Sequence, residues 1–282
     1  MEIKRVGVVG CGQMGGGIAQ VCAQSGYEVR VSEANEALLE KGMAALKSGL
    51  ARNVERGRMA KEQMDGILAR IRGTTKMADF ADCDLVIEAV TENMALKKKI
   101  FAELDGICPA HAVLATNTSC LSIIDMAMAT GREDKVIGLH FFNPVPVMKL
   151  LEMVRTIATT KETLDACRKF GESLGKQVVI AQDSPGFIVN RLVVPFILNA
   201  VRMLENGVAT KEDIDAGVNL GLNHPMGPLT LADLIGLDTV LFIADAMYDE
   251  LKDPQYAAPP LLKKMVTAGW LGRKTKKGFY GY

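Results

Sequence analysis

The chain has 282 residues, 49% of them hydrophobic and 23% charged, which is typical of a globular protein with a sizeable core. Basic and acidic residues number 33 each, so the overall charge indicates neither a nucleic-acid nor a membrane-surface partner. The apolar runs are short and interrupted by charges, which predicts no membrane span, and the strand-like N-terminus leaves no room for a signal peptide. The six cysteines lack metal-ligand spacing, so we expect reduced thiols, no metal site and a cytoplasmic location.

The N-terminal segment predicts a βαβ unit. The run "KRVGVVG" is β-branched and ends at glycine, "GQMGGGIAQVCAQSG" has helical spacing, and "YEVRVSEAN" reads as a second strand. Residues 36–66 then predict a charged helical hairpin, broken near Gly57 and inserted before the next strand.

Strands resume at "ILARIRGTT", "CDLVIEAV", "AVLATNTS", "KVIGLHFF" and "VMKLLEMV", and a helix over residues 161–174 leads to "KQVVIAQ". This alternation favours an α/β fold of Rossmann type, with a mostly parallel sheet covered on both faces.

The pattern changes after residue 183. Residues 184–282 have helical periodicity and no convincing strand, so we predict an α/β domain over residues 1–183 and an all-α C-terminal domain over 184–282. Ser184, followed by Pro185, predicts one helix start, and Thr210 in "ATKEDI" predicts another.

A glycine pattern follows the first strand. Gly10, Gly12 and Gly15 form G-x-G-x-x-G, in which the first glycine allows a tight turn, the second lets the backbone approach a pyrophosphate, and the third permits close helix–strand packing. Glu33 ends the second strand 18 residues beyond Gly15, close to the spacing expected for an acid that binds an adenosine ribose. The context predicts a dinucleotide site, and a chance glycine turn is the alternative.

Glu33 also favours NAD over NADP, because its carboxylate can accept hydrogen bonds from both ribose hydroxyls and would repel a 2′-phosphate. The following residues, "ANEAL", contain no arginine to hold that phosphate, and only Arg30 on the same strand argues for caution. The glycine pattern alone also allows FAD or another adenine nucleotide.

The hairpin region is basic. Residues 41–76 contain nine basic and three acidic residues, and Ser48, Arg52 and Arg56 recur at a spacing of four on one helix face. That face could bind a phosphorylated ligand, since arginine suits bidentate phosphate contacts. A solvated surface helix is an equally good interpretation.

The stretch "GLHFFNPVPVMKLLEMV" places His140 and Glu152 in two apolar runs. A dehydrogenase that oxidises an alcohol needs a base for the hydroxyl proton, and a carboxylate on the other ring nitrogen fixes the tautomer of a histidine base. The pair can serve this chemistry if its strands are neighbours. A structural histidine at a strand end is the more frequent alternative.

The whole chain resembles the short-chain 3-hydroxyacyl-CoA dehydrogenase family, and most closely its bacterial 3-hydroxybutyryl-CoA dehydrogenases. The resemblance is carried by "VGVVGCGQMGGGIAQVCAQSGYEV", "CDLVIEAVTENMALKKKIFAELD", "ATNTSCLSI", "GLHFFNPVPVMKLLEMV", "SPGFIVNRLVVPFILNA", "NHPMGPLTLADLIGLD" and "GWLGRKTKKGFYGY". It implies NAD-dependent interconversion of (S)-3-hydroxyacyl-CoA and 3-oxoacyl-CoA, with short acyl chains.

The resemblance also implies roles for single residues. His140 is the expected base, Glu152 its partner, and Ser119 and Asn190 bind the substrate oxygens, with Asn190 coming from the second domain. The implied NAD contacts, besides the three glycines and Glu33, are Gln13, Met14, Ala89, Glu92, Lys97, Asn117, Ser119, Asn143 and Lys274. The basic hairpin would hold coenzyme A phosphates, with Arg52, Arg56 and Ser48 as candidates.

Three positions depart from the family pattern. Glu33 stands where many members have aspartate, Cys120 replaces a common serine, and Lys276 replaces a glycine in the C-terminal motif. The longer Glu33 side chain should still reach the ribose, and we do not expect Cys120 to be catalytic. With Lys276 in place of glycine, the sequence does not define how the tail contacts NAD.

The apolar C-terminal domain predicts a homodimer or a higher oligomer. Two alternatives to the acyl-CoA dehydrogenase are a dehydrogenase of the same build acting on a free hydroxy acid or sugar acid, and a nucleotide-binding sensor without catalysis.

Overall fold

The computed structural model describes residues 2–282, which divide into two compact units. The first unit ends at Asp183 and the second spans Ser184–Tyr282.

The first unit is built on a single eight-stranded sheet with the order β3-β2-β1-β4-β5-β6-β7-β8. The strands are β1 Arg5–Val9, β2 Glu28–Ser32, β3 Ile71–Thr74, β4 Leu85–Glu88, β5 Val113–Thr116, β6 Val136–Phe141, β7 Leu150–Arg155 and β8 Gln177–Gln182. Neighbouring strands are parallel except for the antiparallel pair β6–β7, so the predicted mostly parallel sheet is confirmed.

In the described part of this unit there are six α-helices: α1 Gln13–Gln24, α2 Glu36–Glu55, α3 Lys61–Arg70, α4 Met94–Ile107, α5 Ile123–Ala127 and α6 Lys161–Ser173. Side chains of α1, α2, α3 and α6 join one large apolar core with the sheet. Alternate residues of the same strands, such as Val86 and Leu114, are also fully buried. Because successive side chains point to opposite faces of a strand, both faces of the sheet are covered.

Helices α2 and α3 form the hairpin inserted between β2 and β3. The Asn35 side chain caps α2 by accepting from Leu38 N at 2.9 Å, and the chain turns after Glu55 through Gly57, which has a positive φ of 66°. The prediction of a strand throughout "ILARIRGTT" was wrong. Helix α3 continues to Arg70 because Ile67 packs into the core at helical spacing, and only Ile71–Thr74 pair as β3.

The second unit contains α7 Val189–Glu205, α8 Lys211–Leu222, α9 Pro228–Ile235, α10 Leu237–Leu251 and α11 Pro260–Thr267. Thr210 caps α8 as predicted, accepting from Asp213 N at 3.1 Å. The predicted helix start at Ser184 was wrong: Gly186 and Phe187 have positive φ values, and an α-helix cannot run through such residues. Across residues 2–282, we find no helix that combines the length and apolar character needed to span a membrane.

Two buried aspartates attach the C-terminal tail to α8 and α9. Asp233 accepts from the N–H groups of Phe279 and Tyr280, each at 2.9 Å, and Asp215 accepts from the Tyr280 hydroxyl at 3.1 Å. The tail therefore has a fixed position on the helices of this unit, although it forms only isolated bridges there.

Candidate active site

The glycine loop lies at the carboxyl end of β1, the edge at which ligands bind in open parallel sheets. Gly10 has a positive φ of 99°, and a Cβ added to Gly15 would lie 1.9 Å from the Gly10 carbonyl oxygen. The chain's own packing thus requires glycine at both positions. A Cβ added to Gly12, by contrast, would meet no atom of residues 2–282 within 4 Å.

This loop fits a dinucleotide. Helix α1 starts after Gly12 with no acidic residue in its first turn and no capping side chain from the described part of the chain, so its N-terminal N–H groups can bind phosphate. The Glu33 carboxylate sits beside the loop, accepting from Cys11 N at 2.7 Å and from Ala34 N at 3.2 Å. The space over Gly12 and the adjoining carboxylate are the two features that a pyrophosphate and its ribose need.

Arg30 does not point into this region. Its guanidinium binds the Asp82 carboxylate, with Nη2 2.9 Å from Oδ2, and also contacts the Asp79 carbonyl oxygen. Arg30 is therefore already neutralised by another part of the first unit, and it has no reason to attract a 2′-phosphate beside Glu33.

A cavity of about 540 Å³ adjoins the loop, within the usual size range of ligand sites. Glu33, α1, one face of α2 and residues 143–146 contribute to its walls. The α2 residues that line it are Leu38, Lys41, Gly42, Ala45, Leu46 and Gly49. Lys41 is the one lysine among the lining residues in the described part of the chain, and no arginine is among them.

The predicted phosphate ligands of the hairpin lie farther along the same helix. Ser48 and Arg52 are exposed on α2, and Arg56 is the exposed residue at its C-terminal cap. In the described structure, Ser48, Arg52 and Arg56 are not among the residues that line the cavity. Arg52 nevertheless lies one turn beyond Gly49, a lining residue, on the same face of the helix.

His140 and Glu152 face each other directly across the antiparallel pair β6–β7. His140 Nδ1 lies 2.7 Å from Glu152 Oε2, and the two residues are 6% and 0% exposed. A carboxylate oxygen accepts hydrogen bonds, so this contact favours the tautomer with the proton on Nδ1. That tautomer makes Nε2 the basic nitrogen of the ring, as expected for a histidine base whose other nitrogen is held by a carboxylate.

Residues that follow β1, β5 and β6 make contacts at the same edge of the sheet. The Phe142 ring lies 4.5 Å from the His140 ring, centroid to centroid. Gln13 Nε2 donates to Asn143 Oδ1 at 3.1 Å, and Phe141 N donates to Asn117 Oδ1 at 2.8 Å. The predicted cofactor residues Gln13, Asn117 and Asn143 are therefore brought together at one edge of the sheet.

Ser119 follows β5 and is held by Glu92. Ser119 N donates to Glu92 Oε1 at 2.8 Å, and the Ser119 hydroxyl lies 3.1 Å from the same oxygen. Lys97 also belongs to this cluster, with Nζ 3.3 Å from Glu92 Oε2, but its side chain is only 1% exposed. The Lys97 side chain is thus almost wholly buried, and its cofactor contact stays a prediction.

The remaining residues that were predicted to bind cofactor or substrate are Ala89, Met14, Asn190 and Lys274. Ala89 N donates to Val9 O at 2.8 Å, which ties the end of β4 to β1, and Met14 lies in the first turn of α1. In the second unit, Asn190 is the second residue of α7. Lys274 lies in the tail, and its Nζ pairs with the Asp238 carboxylate.

Cys120 is not suited to nucleophilic chemistry. Its thiol is buried, and burial together with the nearby Glu92 charge raises its pKa to about 12. The group therefore stays protonated at neutral pH. All six cysteines, each within the described residues, are buried free thiols.

Sequence reasoning missed two buried residues beside the site. Glu88 ends β4 and accepts from Lys97 Nζ, and Lys176 donates from Nζ to the carbonyl oxygens of Val145 at 2.5 Å and Met148 at 2.7 Å. Burial lowers the pKa of Lys176. An acid at the end of the buried strand "DLVIE" was a readable signal for Glu88, whereas nothing in "GKQVV" indicated that Lys176 is buried.

Comparison with known proteins agrees with this geometry. Residues 5–184 match the family model of the 3-hydroxyacyl-CoA dehydrogenase NAD binding domain, and residues 186–282 match that of its C-terminal domain. The chain belongs to the 3-hydroxyacyl-CoA dehydrogenase family. It is accordingly an NAD-dependent oxidoreductase with an N-terminal Rossmann domain and a helical C-terminal domain.

Similar members of this family are known from several bacteria. A 3-hydroxybutyryl-CoA dehydrogenase of Mycobacterium tuberculosis is 51% identical over 282 residues, which cover 99% of both chains. A probable 3-hydroxybutyryl-CoA dehydrogenase of Bacillus subtilis is 47% identical and covers 100% of this chain and 98% of its own.

Two solved structures of the family are close to this fold. M. tuberculosis FadB2 superposes with a TM-score of 0.98 at 50% identity, over 100% of both chains. The (S)-3-hydroxybutyryl-CoA dehydrogenase PaaH1 of Ralstonia eutropha gives 0.95 at 45% identity, over 100% of this chain and 99% of its own.

Proposed function

We propose that this protein interconverts (S)-3-hydroxyacyl-CoA and 3-oxoacyl-CoA with NAD(H), and that 3-hydroxybutyryl-CoA and acetoacetyl-CoA are its substrates. The observation that carries the proposal is the buried His140–Glu152 pair at 2.7 Å, beside a loop that fits a dinucleotide. The names of the similar proteins, 3-hydroxybutyryl-CoA dehydrogenases, support the short acyl chain and the S configuration.

His140 is the general base in oxidation and the general acid in reduction. Nε2 accepts the proton of the 3-hydroxyl group, and the imidazolium that forms is stabilised by the Glu152 carboxylate on Nδ1. NAD, when bound, would supply the acceptor for the hydride that leaves C3 of the substrate. The pair is fixed by the strand register, so both ring orientation and tautomer are set before the substrate arrives.

Ser119 and Asn190 bind the substrate oxygens in this proposal. The Ser119 backbone is fixed by Glu92, which supports a defined position for its hydroxyl group. Asn190 offers an amide that can donate to a carbonyl oxygen or accept from a hydroxyl group. The C-terminal unit thus contributes to substrate binding.

The dinucleotide is bound by the first unit. The N-terminus of α1 receives the pyrophosphate over Gly12, and the Glu33 carboxylate receives the ribose hydroxyls. Gln13, Met14, Ala89, Glu92, Lys97, Asn117, Ser119 and Asn143 complete this site, and Lys274 is proposed to contribute from the tail. Since Arg30 is bound to Asp82, it does not offset the repulsion between Glu33 and a 2′-phosphate.

Coenzyme A is proposed to extend along α2. Arg52 and Arg56 are exposed and can place guanidinium groups on its phosphates, with Ser48 as a neighbouring donor. Arg52→Ala combined with Arg56→Ala should raise KM for the thioester and leave KM for NADH unchanged. Equal KM values for the thioester in both enzymes would contradict this placement.

A homodimer through the C-terminal unit is a further part of the proposal. Its helices expose large apolar side chains, among them Leu192 at 70%, Leu220 at 87% and Leu222 at 61%. Exposed apolar side chains of this size favour association. A monomer mass by light scattering at assay concentration contradicts it. The six buried free thiols support a reducing, cytoplasmic location.

The deciding experiment measures NADH oxidation with acetoacetyl-CoA and with free acetoacetate. We expect turnover with the thioester and a kcat/KM for the free acid at least about 10³-fold lower, because remote binding energy from coenzyme A is lost. Equal kcat/KM values for the two compounds would favour a dehydrogenase of free oxo acids, and no NADH oxidation with either would favour a non-catalytic protein.

A further inference from the structure

A buried lysine supports the β6–β7 turn, which comprises residues 142–149. Lys176 lies between α6 and β8, and only 8% of this residue is exposed. Its Nζ donates to the carbonyl oxygen of Val145 at 2.5 Å and to that of Met148 at 2.7 Å. Two carbonyl groups of the same turn therefore converge on one ammonium group.

This ammonium has no carboxylate partner in the described part of the chain. Among those residues, Cys22 is the one titratable group whose charge acts noticeably on Lys176, and it is a buried free thiol. Burying a charge is costly unless hydrogen bonds replace the water that it loses. The two carbonyl oxygens provide those bonds, so the lysine and the β6–β7 turn stabilise each other.

The backbone of Lys176 has a defined position of its own. Lys176 N donates to Gly171 O at 3.2 Å, at the end of α6, and Gln177 N donates to Lys149 O at 2.8 Å. Strand β8 then pairs with β7 along its whole length. The ammonium group is therefore presented from a fixed point, and it can restrain the β6–β7 turn.

The β6–β7 turn also contacts the part of the protein that binds the dinucleotide. Its residues 143–146 line the cavity beside the glycine loop, whereas Lys176 does not. Val145 packs on α1, where a Cβ added to Gly17 would lie 2.9 Å from Val145 Cβ. Asn143 Oδ1 accepts from Gln13 Nε2 at 3.1 Å. The position of Asn143 thus depends on a turn that is attached both to α1 and to Lys176.

We propose that Lys176 is a positioning residue for cofactor binding, because its ammonium group fixes the β6–β7 turn and thereby places Asn143 against NAD. The inference rests on the proposed function, since the contact between Asn143 and NAD is proposed only there. His140 and Glu152 are held separately, by the pairing of β7 with β6 and with β8. The effect of Lys176 therefore belongs to cofactor affinity and not to the chemical step.

The test compares Lys176→Met with Lys169→Met. Lys169 is the matched control, because it is an exposed lysine on α6, the helix that leads to Lys176. Lys176→Met should raise Kd for NADH about tenfold, since the Asn143 amide loses its defined position. The kcat at saturating NADH should stay within about threefold, and Lys169→Met should change neither quantity. An unchanged Kd for NADH in Lys176→Met overturns the proposal.

A double-mutant cycle with Asn143→Ala shows how the effect is transmitted. In the Asn143→Ala background, Lys176→Met should raise Kd for NADH by less than about twofold, because residues that act through one another are not additive. The same tenfold increase in both backgrounds would mean that Lys176 supports the first unit as a whole, and it would contradict the positioning role.

Amide hydrogen exchange reports on the β6–β7 turn without any measurement of activity. Val147 N and Met148 N both donate to Pro144 O, at 2.9 and 3.0 Å, so their exchange rates follow the order of the turn. Exchange at both amides should accelerate in Lys176→Met and stay unchanged in Lys169→Met. Equal rates in Lys176→Met and wild type would overturn the proposal.

A milder variant keeps the proposal testable if Lys176→Met does not fold. Lys176→Gln retains a side-chain donor near the two carbonyl oxygens, and we expect it to raise Kd for NADH about threefold and to accelerate the same two amides. Wild-type values for both measurements would contradict the positioning role. Inactivity of the wild-type enzyme on acetoacetyl-CoA would overturn the proposed function instead, while NADH affinity and amide exchange would still decide the role of Lys176.

Discussion

The glycine loop before α1 and the strand pair β6–β7 belong to the same sheet. The loop depends on residues that have no side chain, whereas the strand pair depends on two side chains that face each other. Gly10 and Gly15 permit the turn and the close packing, and Gly12 leaves space that no described atom fills. On β6–β7, the register alone brings His140 opposite Glu152. In the proposed function, the loop binds the dinucleotide and the strand pair supplies the chemistry.

Because of this difference, we expect mutations in the two regions to have different effects. A side chain added to the loop removes space for a ligand or breaks the turn, and both effects appear in binding or folding. A side chain removed from β6–β7 leaves the backbone in place and takes away the proposed proton acceptor. Binding and turnover should therefore separate cleanly between the two regions.

The largest effect is expected for His140→Ala. Loss of a general base typically costs 10²–10⁴-fold, so kcat should fall about 10³-fold while Kd for NADH stays within about twofold. His111→Ala is the matched control, because His111 is a half-exposed histidine that pairs with Asp84 at 3.0 Å. Steady-state rates and NADH fluorescence titration measure both quantities. A base elsewhere in the protein would be indicated if His140→Ala retained turnover.

Alanine at two glycines should separate folding from binding. Gly15→Ala should lower the free energy of unfolding by about 3 kcal/mol, because its Cβ overlaps the Gly10 carbonyl oxygen. Gly12→Ala should leave stability within about 0.5 kcal/mol, since its backbone φ of −71° suits any residue. Its NADH affinity should nevertheless fall about tenfold, because the methyl group occupies ligand space. Urea denaturation and NADH titration distinguish the two variants, and equal stability losses would contradict the assignment.

A smaller effect is expected for Glu33→Ala. Kd for NADH should rise about tenfold, as one set of ribose hydrogen bonds is lost, while Kd for NADPH should fall because repulsion of the 2′-phosphate is removed. Fluorescence titration with both dinucleotides measures the change in preference. An unchanged ratio of the two Kd values would mean that another residue determines the choice.

The smallest effect is expected at Cys120. Its pKa of about 12 leaves a thiolate fraction on the order of 10⁻⁴ at pH 8, so iodoacetamide should modify it slowly and more quickly only as the pH rises. Cys120→Ser should keep kcat within about twofold, because the thiol takes no part in proton transfer. Mass spectrometry after timed alkylation provides the measurement, and rapid modification at pH 7 would contradict the burial of this group.

The glycine loop was predictable because it depends on local spacing. Three glycines, a strand before them and an acid at the end of the next strand define the turn without reference to distant residues. Thr210 was predictable for the same reason, since a capping side chain bonds a backbone group three residues away. The ending of α3 was missed because tertiary packing of Ile67 outweighed the β-branched residues that follow it.

The proposed catalytic pair was only partly predictable. The sequence contains His140 and Glu152 twelve residues apart, but their contact depends on an antiparallel pairing inside a mostly parallel sheet. Hydrophobic periodicity does not determine such a register. The family resemblance supplied the pairing of His140 with Glu152 instead. The Glu88–Lys97 pair was missed altogether, because a lysine in a charged run such as "KKK" is normally solvated and only the structure shows which one is buried.

The separation of binding from chemistry is tested most directly by single-turnover reduction of acetoacetyl-CoA at rising NADH concentration. The rate of Gly12→Ala should approach that of wild type as NADH saturates, because only occupancy is impaired. The rate of His140→Ala should stay about 10³-fold lower at every NADH concentration. Recovery of the His140→Ala rate at saturating NADH, or a permanently low plateau for Gly12→Ala, would contradict this division of roles.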